Sequence, residues 1–151
     1  MWAVDTFAGD AGTERFTGPV SPDNLLAEFR RNTSDFTFLN VIVARSTEAA
    51  VGFADASLDW VFIDADHSYG AVAADIGVWA RKLRPGGLRS GHDFAHPGVM
   101  DAVYHAYPRP SNAGNIWFTR DRPRSRAALA PRMFWRKTRG WFGFDQALSA
   151  V

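Results

Sequence analysis

The chain has 151 residues, of which 46% are hydrophobic and 14% aromatic, so it can bury one sizeable core but hardly two. It contains no cysteine, which excludes disulfides and thiolate metal sites, and its formal net charge is only +1. No apolar run of about 18 residues and no signal-peptide pattern occurs near the N-terminus, so we expect a soluble, cytoplasmic protein without a transmembrane segment.

Short strands and helices alternate along the first part of the chain. The first residues predict a strand that ends at Asp5. Residues 21–23 predict the start of a helix, because they provide an N-cap serine, a proline for the first helical position and an early acid. A second strand is predicted over residues 38–44, followed by a short helix that Ser46 or Thr47 can cap.

The central part of the chain predicts a strand, a helix and a second strand. The apolar run from Trp60 to Ile63 is too short for a helix and predicts a strand buried on both faces. Ser68 is a suitable N-cap for the helix that follows. The apolar stripe of this helix consists of Val72, Ile76, Trp79 and Leu83. Residues 85–87 then predict a turn, and residues 88–94 a returning strand.

Acids and histidines follow both of these strands. A unit of this length is almost always a right-handed parallel crossover, so Asp64 to His67 and His92-Asp93 are expected at the same sheet edge. In open parallel sheets that edge binds ligands. A helix through Val99 and a late strand over residues 115–119 continue the alternation, which predicts an α/β doubly wound sheet.

Several sequence blocks, taken in order, resemble one family. They are Val4-Asp5-Thr6-Phe7 with Gly9-Asp10, Ser46 to Ala50, Ser57 to Tyr69, Leu83-Arg84-Pro85-Gly86-Gly87 and Gly91-His92-Asp93-Phe94. Together they look like a class I S-adenosylmethionine-dependent methyltransferase, and most resemble bacterial small-molecule O-methyltransferases of the macrocin-methyltransferase-like group. The resemblance covers residues 2–119 and implies a Rossmann-like sheet in a methyltransferase-like domain, 1–119.

One part of the family pattern is absent. Such enzymes begin with a strand, a glycine-rich turn and a helix that seat the methionine part of the cofactor, whereas this chain starts at the strand that ends at Asp5. We therefore expect an N-terminally truncated sheet, with the first strand and helix missing and two unpaired edges left next to each other.

The resemblance also implies roles for individual residues. Asp5 is placed to bind the cofactor ribose and Ser46 to lie near the adenine, although a surface acid and a helix-capping serine explain these two residues equally well. Asp64 is assigned to the cofactor or to a metal. Asp64 and Asp93, with His92, offer ligands for Mg²⁺ or a similar cation.

His67 is the candidate catalytic residue. Its position after Asp64, in the mouth of the crevice, and its near-neutral pKa suit a general base that removes a hydroxyl proton during methyl transfer. His92 is an alternative base. His96 and His105 have no motif around them and are expected at the surface.

The C-terminal extension, residues 120–151, differs in composition from the rest. Residues 120–139 carry eight basic residues against one acid, which leaves nine bases and fifteen acids elsewhere. Either a solvated or partly disordered extension, or an arm that packs on a second subunit in a homo-oligomer, is expected for this basic and aromatic segment. Nucleic-acid binding is less expected, since no recognition module accompanies the charge.

These observations favour methyl transfer from S-adenosylmethionine to a hydroxyl of a small-molecule acceptor, with metal assistance left open. Two alternatives remain. The first is a non-catalytic methyltransferase remnant that acts as an interaction module, and the second is a nucleic-acid-associated protein that binds through its basic tail.

Overall fold

The structure, a computed structural model, describes residues 1–9, 22–120 and 122–123. Its strands are β1 (Trp2–Asp5), β2 (Asn40–Val43), β3 (Leu58–Ile63), β4 (Leu83–Gly91), β5 (Ser111–Ala113) and β6 (Ile116–Thr119). Its helices are α1 (Pro22–Asn32), α2 (Ser46–Ala49), α3 (Tyr69–Trp79) and α4 (Pro97–Ala106), and a 3₁₀ turn at Ala50–Gly52 continues α2. This alternation confirms the predicted α/β fold class.

The described strands form two sheets. β1 pairs in parallel with β2, and in the second sheet β3 pairs in parallel with β4, which is followed by the antiparallel strands β6 and β5. The parallel crossover from β3 through α3 to β4 was predicted from the sequence and is confirmed. Because Ile63 pairs with Gly91, the residues that follow these two strands emerge at the same sheet edge.

One edge of β1 and one edge of β3 carry no hydrogen-bonded strand within the described ranges. Both strands nevertheless pack against the same helical layer, since Val4 of β1 and Val61 of β3 contact a buried cluster that contains Ala50 and Trp79. The two unpaired edges that we expected are therefore present in this part of the chain. Truncation of the full-length protein stays a prediction.

The main core lies between the second sheet and the helices α3 and α4. It contains the fully buried Trp117 of β6 and Tyr107, which follows α4. The other buried members are Val72, Ile76, Phe94, Val99, Ala102, Val103 and Ala106. This core holds the carboxyl ends of β3 and β4 against the start of α4.

The boundary between α3 and β4 differs from the prediction. Leu83 continues the apolar spacing of α3, but α3 ends at Trp79 and Leu83 is the first residue of β4, where it pairs with Leu58. The pairing slips between this position and the next aligned pair, Trp60 with Leu88, so the Pro-Gly-Gly segment lies within the span of β4. Strand pairing overrides the helical periodicity here.

Strand β3 is covered on one face only. Its side chains alternate, and Trp60 and Phe62 are 55% and 42% exposed. They lie on the same face, with their rings 6.1 Å apart. The prediction that this strand is buried on both faces is therefore wrong for the part of the chain that the structure describes.

Smaller differences concern single residues. Ser46 is the first residue of α2 and not its cap, because Arg45 occupies the N-cap position without a side-chain bond, which corrects the prediction that Ser46 or Thr47 caps this helix. β5 was not predicted. Arg89, which interrupts the apolar character of β4, is buried and its Nη1 donates to the carbonyl of Gly87 at 3.2 Å.

No helix among the described residues is long and apolar enough to cross a membrane.

Candidate functional site

The candidate site lies where β3 and β4 end. Asp64 directly follows β3, and His92 and Asp93 directly follow β4. One ligand atom from each of Asp64, His67 and Asp93 can be chosen so that all three lie within 4.8 Å of one another. The prediction that the two sequence clusters are neighbours in space is therefore confirmed.

The closest contact in the site joins His67 to Asp93. The His67 Nε2 atom lies 2.9 Å from Oδ2 of Asp93, and Nδ1 of His92 lies 3.3 Å from the same oxygen. The side chains of His67 and Asp93 are 42% and 29% exposed, so solvent and small ligands can reach both. A single carboxylate oxygen thus faces two imidazole rings.

The electrostatics of Asp93 follow from these neighbours. Desolvation alone would raise the pKa of the Asp93 carboxyl, but hydrogen bonds from His92 and Asn115 and the charges of the two histidines together lower it. The carboxylate is therefore ionised over the pH range in which histidines titrate.

The backbone of Asp93 has an uncommon conformation. Its φ angle is 53°, in the left-handed region that non-glycine residues adopt at a cost. The segment is held by further bonds: the His96 N–H donates to the Asp93 carbonyl at 2.8 Å, and Asn115 binds the Asp93 side chain. Sequence reasoning missed Asn115, whose only signal was its position after Gly114 in a turn.

The loop that carries His67 is built by its neighbours in sequence. The Ser68 N–H donates to Oδ1 of Asp66 at 2.6 Å, and Oγ of Ser68 accepts from the Ala71 N–H and caps α3, as predicted. The hydrogen bond from the Ser68 backbone lowers the pKa of the Asp66 carboxyl. His67 is thereby fixed at the entrance to α3.

The start of α4 lies against this loop. His96 is exposed and caps α4, with its Nδ1 accepting from the Gly98 N–H at 3.3 Å, and its ring lies 5.4 Å from that of His67. A Cβ atom added to Gly98 would overlap the carbonyl oxygen of His67. The absence of a side chain at position 98 therefore lets α4 approach the candidate base.

The possible metal ligands differ in one member from the predicted set. The described residues that could hold an ion together are Asp64, Asp93 and His67, whereas the prediction combined the two acids with His92. Among the described residues, His92 joins this group through its contact with Asp93. Two carboxylates and an imidazole can bind a divalent cation.

The residues assigned to the cofactor belong to other elements. Asp5 ends β1, and its Oδ1 accepts from the Phe7 N–H at 2.6 Å. Ser46 is engaged in packing: its Oγ accepts from Nε1 of Trp79 at 2.8 Å, and its hydroxyl also hydrogen-bonds Asp75.

One histidine is placed differently from the prediction. His105 was expected at the surface, but both its ring nitrogens are buried and have no hydrogen-bond partner among the described residues, and its ring meets Tyr69 edge-on at 5.5 Å. The predicted roles of the C-terminal extension fall almost entirely on residues outside the described ranges, which end at position 123.

Comparison with solved structures shows the fold. A crystal structure of a protein from Corynebacterium glutamicum superposes with a TM-score of 0.52 and 14% identity, over 83% of this chain and 62% of that chain. This chain thus spans less than two thirds of that protein's length. The T. thermophilus 16S rRNA N2 G1207 methyltransferase, solved with AdoMet and guanosine, matches with a TM-score of 0.37 and 15% identity, over 78% of this chain and 33% of that one.

Comparison at the sequence level identifies the family. No curated protein matches this sequence. A family model described as "Methyltransferase domain" matches residues 2–94, a range that includes β1 to β4 and both acids of the site. The chain belongs to this methyltransferase domain family.

Proposed function

We propose that this chain transfers the methyl group of S-adenosylmethionine to a hydroxyl of a small molecule, with His67 as the proton acceptor. The observation that carries the proposal is the 2.9 Å contact between His67 and Asp93, at the edge where β3 and β4 end, in a chain of the methyltransferase domain family. An imidazole held by a carboxylate is the usual arrangement of a general base.

Methyl transfer to a hydroxyl releases a proton that a base can accept. When bound, S-adenosylmethionine supplies a methyl group on a positively charged sulfur, which leaves as a neutral thioether when an oxygen attacks the methyl carbon. The attacking hydroxyl loses its proton in this reaction. If the proton of neutral His67 is on Nε2 and is donated to Asp93, the lone pair on Nδ1 is free to accept the hydroxyl proton.

Two residues assigned to the cofactor have carboxylate oxygens that no hydrogen bond from the described residues uses. Asp5 uses Oδ1 for the turn to Phe7, and Oδ2 can accept from a ribose hydroxyl. Asp64 is exposed at the site. The hydroxyl of Ser46 already hydrogen-bonds Trp79 and Asp75. Ser46 is therefore proposed to shape the part of the site that holds the adenine, without a side-chain hydrogen bond to the cofactor.

The proposal also includes a divalent cation that assists methyl transfer. Asp64 and Asp93 would hold a divalent cation such as Mg²⁺, with His92 supporting Asp93, and the cation would lower the pKa of the acceptor hydroxyl. The distances among the ligand atoms are compatible with one ion. His67 would then act as the base and not as a metal ligand, with Nε2 bound to Asp93.

The test is the formation of S-adenosylhomocysteine with catechol and a methyl glycoside as hydroxyl probes, with and without Mg²⁺. His67→Asn is expected to lower the rate by about 100-fold, which is typical of losing a general base. Asp35→Asn, a substitution of an exposed loop acid, is the control and should leave the rate unchanged. An unchanged rate for His67→Asn would contradict the assignment of the base.

A non-catalytic interaction module is the second candidate function. The observation that favours it is the interruption of the sheet between β1 and β3 in the described residues, because a cofactor crevice is normally built along a continuous sheet. The two candidates differ in whether the chain binds S-adenosylmethionine. Nucleic-acid binding through residues 120–151 stays a prediction, which a salt-dependent binding assay with and without that segment would test.

A further inference from the structure

Asn115 connects the end of β4 to the turn that precedes β6. Its Nδ2 donates to Oδ1 of Asp93 at 3.1 Å, and its Oδ1 accepts from the Ala95 N–H at 2.8 Å. Its carbonyl accepts from the Phe94 N–H at 3.0 Å. One side chain and its own backbone therefore hold three consecutive residues, Asp93 to Ala95.

The first of these bonds selects the orientation of the Asp93 carboxylate. A carboxylate has two oxygens, and Asn115 occupies Oδ1, which leaves Oδ2 directed at His67 and His92. The bond also adds to the contacts that support the left-handed backbone of Asp93, because a non-glycine residue keeps a φ angle of 53° only when its surroundings hold it.

We propose that Asn115 is a positioning residue: its amide holds Asp93 so that Oδ2 faces Nε2 of His67. Its proposed importance for catalysis rests on the proposed role of His67 as the base, but the positioning itself can be observed without any reaction. A carboxylate fixed on Nε2 favours the tautomer that leaves Nδ1 free to accept a proton.

A purely structural role is the competing explanation, because Asn115 also anchors the β5–β6 hairpin. Asn115→Asp separates the two roles. The new carboxylate can still accept from the Ala95 N–H, and the backbone bond to Phe94 is kept, but the donor to Asp93 is lost and two carboxylates face each other. Asn112→Asp is the matched control, since the Asn112 amide is in the same hairpin and, within the described part of the chain, donates to the Gly114 carbonyl at 3.2 Å and not to the site.

The experiment measures the tautomer of neutral His67 by long-range ¹H–¹⁵N correlation spectra of the imidazole rings in the full chain, at a pH where histidine is neutral. A spectrum of His67→Gln assigns the signals. We expect the Nε2–H form to dominate in the unsubstituted chain and in Asn112→Asp, and to lose its dominance in Asn115→Asp. Asn115→Ala, which removes the same donor without adding charge, should behave likewise and serves if Asn115→Asp does not fold.

Retention of the Nε2–H form in folded Asn115→Asp or Asn115→Ala would overturn the proposal, as would an unsubstituted chain without this preference. If the Asn115 variants lose the tautomer preference but the unsubstituted chain forms no S-adenosylhomocysteine, the positioning role stands and only the proposed function is contradicted. The two failures are thereby distinguishable.

Discussion

Asp93 contacts several side chains of the candidate site and links them to one another. Its carboxylate contacts His67, His92 and Asn115, and its carbonyl accepts from the His96 N–H. The sequence predicts the two acids and His67, because a parallel crossover brings the ends of consecutive strands together. Asn115 could not be predicted, because its partner is 22 residues away and no local pattern links them.

Asp75 of α3 is a second acid in an unusual environment. Burial raises the pKa of its carboxyl, a hydrogen bond from Ser46 opposes the shift, and the charge of Asp66 adds to it. A raised pKa in the folded state means that the folded protein binds the proton more tightly than the unfolded chain. The free energy of unfolding therefore falls as the pH rises from the unfolded pKa of about 4 through the folded value.

Asp75→Asn should remove this pH dependence. We expect the variant to gain stability relative to the unsubstituted chain at pH 7, and to lose that advantage as the pH falls toward about 4. Urea unfolding followed by circular dichroism across this range measures the difference. A gain in stability that is constant with pH would show that the ionisation of Asp75 is not its source.

Among the helices and strands, the β3–α3–β4 unit could be predicted from the sequence, but the boundary between α3 and β4 could not. The apolar spacing indicated α3 correctly, but the same spacing continued to Leu83, which joins β4 because it pairs with Leu58. The exposure of Trp60 and Phe62 was also unpredictable, because an apolar strand does not show which elements cover its two faces.

The close contact between α4 and the His67 loop predicts that alanine has opposite effects on stability at two helical glycines. Gly98→Ala places a Cβ against the His67 carbonyl and should lower the free energy of unfolding by about 1–3 kcal/mol, in the range of overpacking. Gly77→Ala is the matched control. Gly77 lies in α3, where an added Cβ would meet no neighbouring side chain or strand, so alanine there should stabilise the protein by about 0.5–1 kcal/mol.

Urea unfolding of both variants tests this pair. Equal effects of the two substitutions would contradict the close contact between α4 and the His67 loop, because helix propensity alone favours alanine at both positions.

At the scale of the whole molecule, the two sheets are held together through the helical layer. Trp79 is central to this contact: its Nε1 donates to Oγ of Ser46, and its ring packs edge-on against Phe53 at 5.2 Å. Phe53 in turn meets Trp2 of β1 at 5.5 Å. Trp79 therefore contributes to the packing that holds the two sheets together.

Trp79→Ala should destabilise the protein by about 3–5 kcal/mol, a large part of the stability of a single domain. Trp79→Phe keeps most of the packing and loses the bond to Ser46, so we expect a smaller loss of about 1 kcal/mol. Hydrogen exchange at the amides of β1 and β3 provides the measurement. Unchanged protection of β1 in Trp79→Ala would contradict the role of this residue in joining the sheets.

Calorimetric titration of S-adenosylmethionine into the 151-residue chain tests the proposed use of this cofactor by a member of the methyltransferase domain family. We predict a dissociation constant in the micromolar range, about −8 kcal/mol of binding free energy. Asp5→Asn should weaken binding by about 10-fold, as expected for a lost charge-assisted hydrogen bond, and Asp35→Asn should not. A folded chain that binds no S-adenosylmethionine would contradict this proposed use and favour the interaction module.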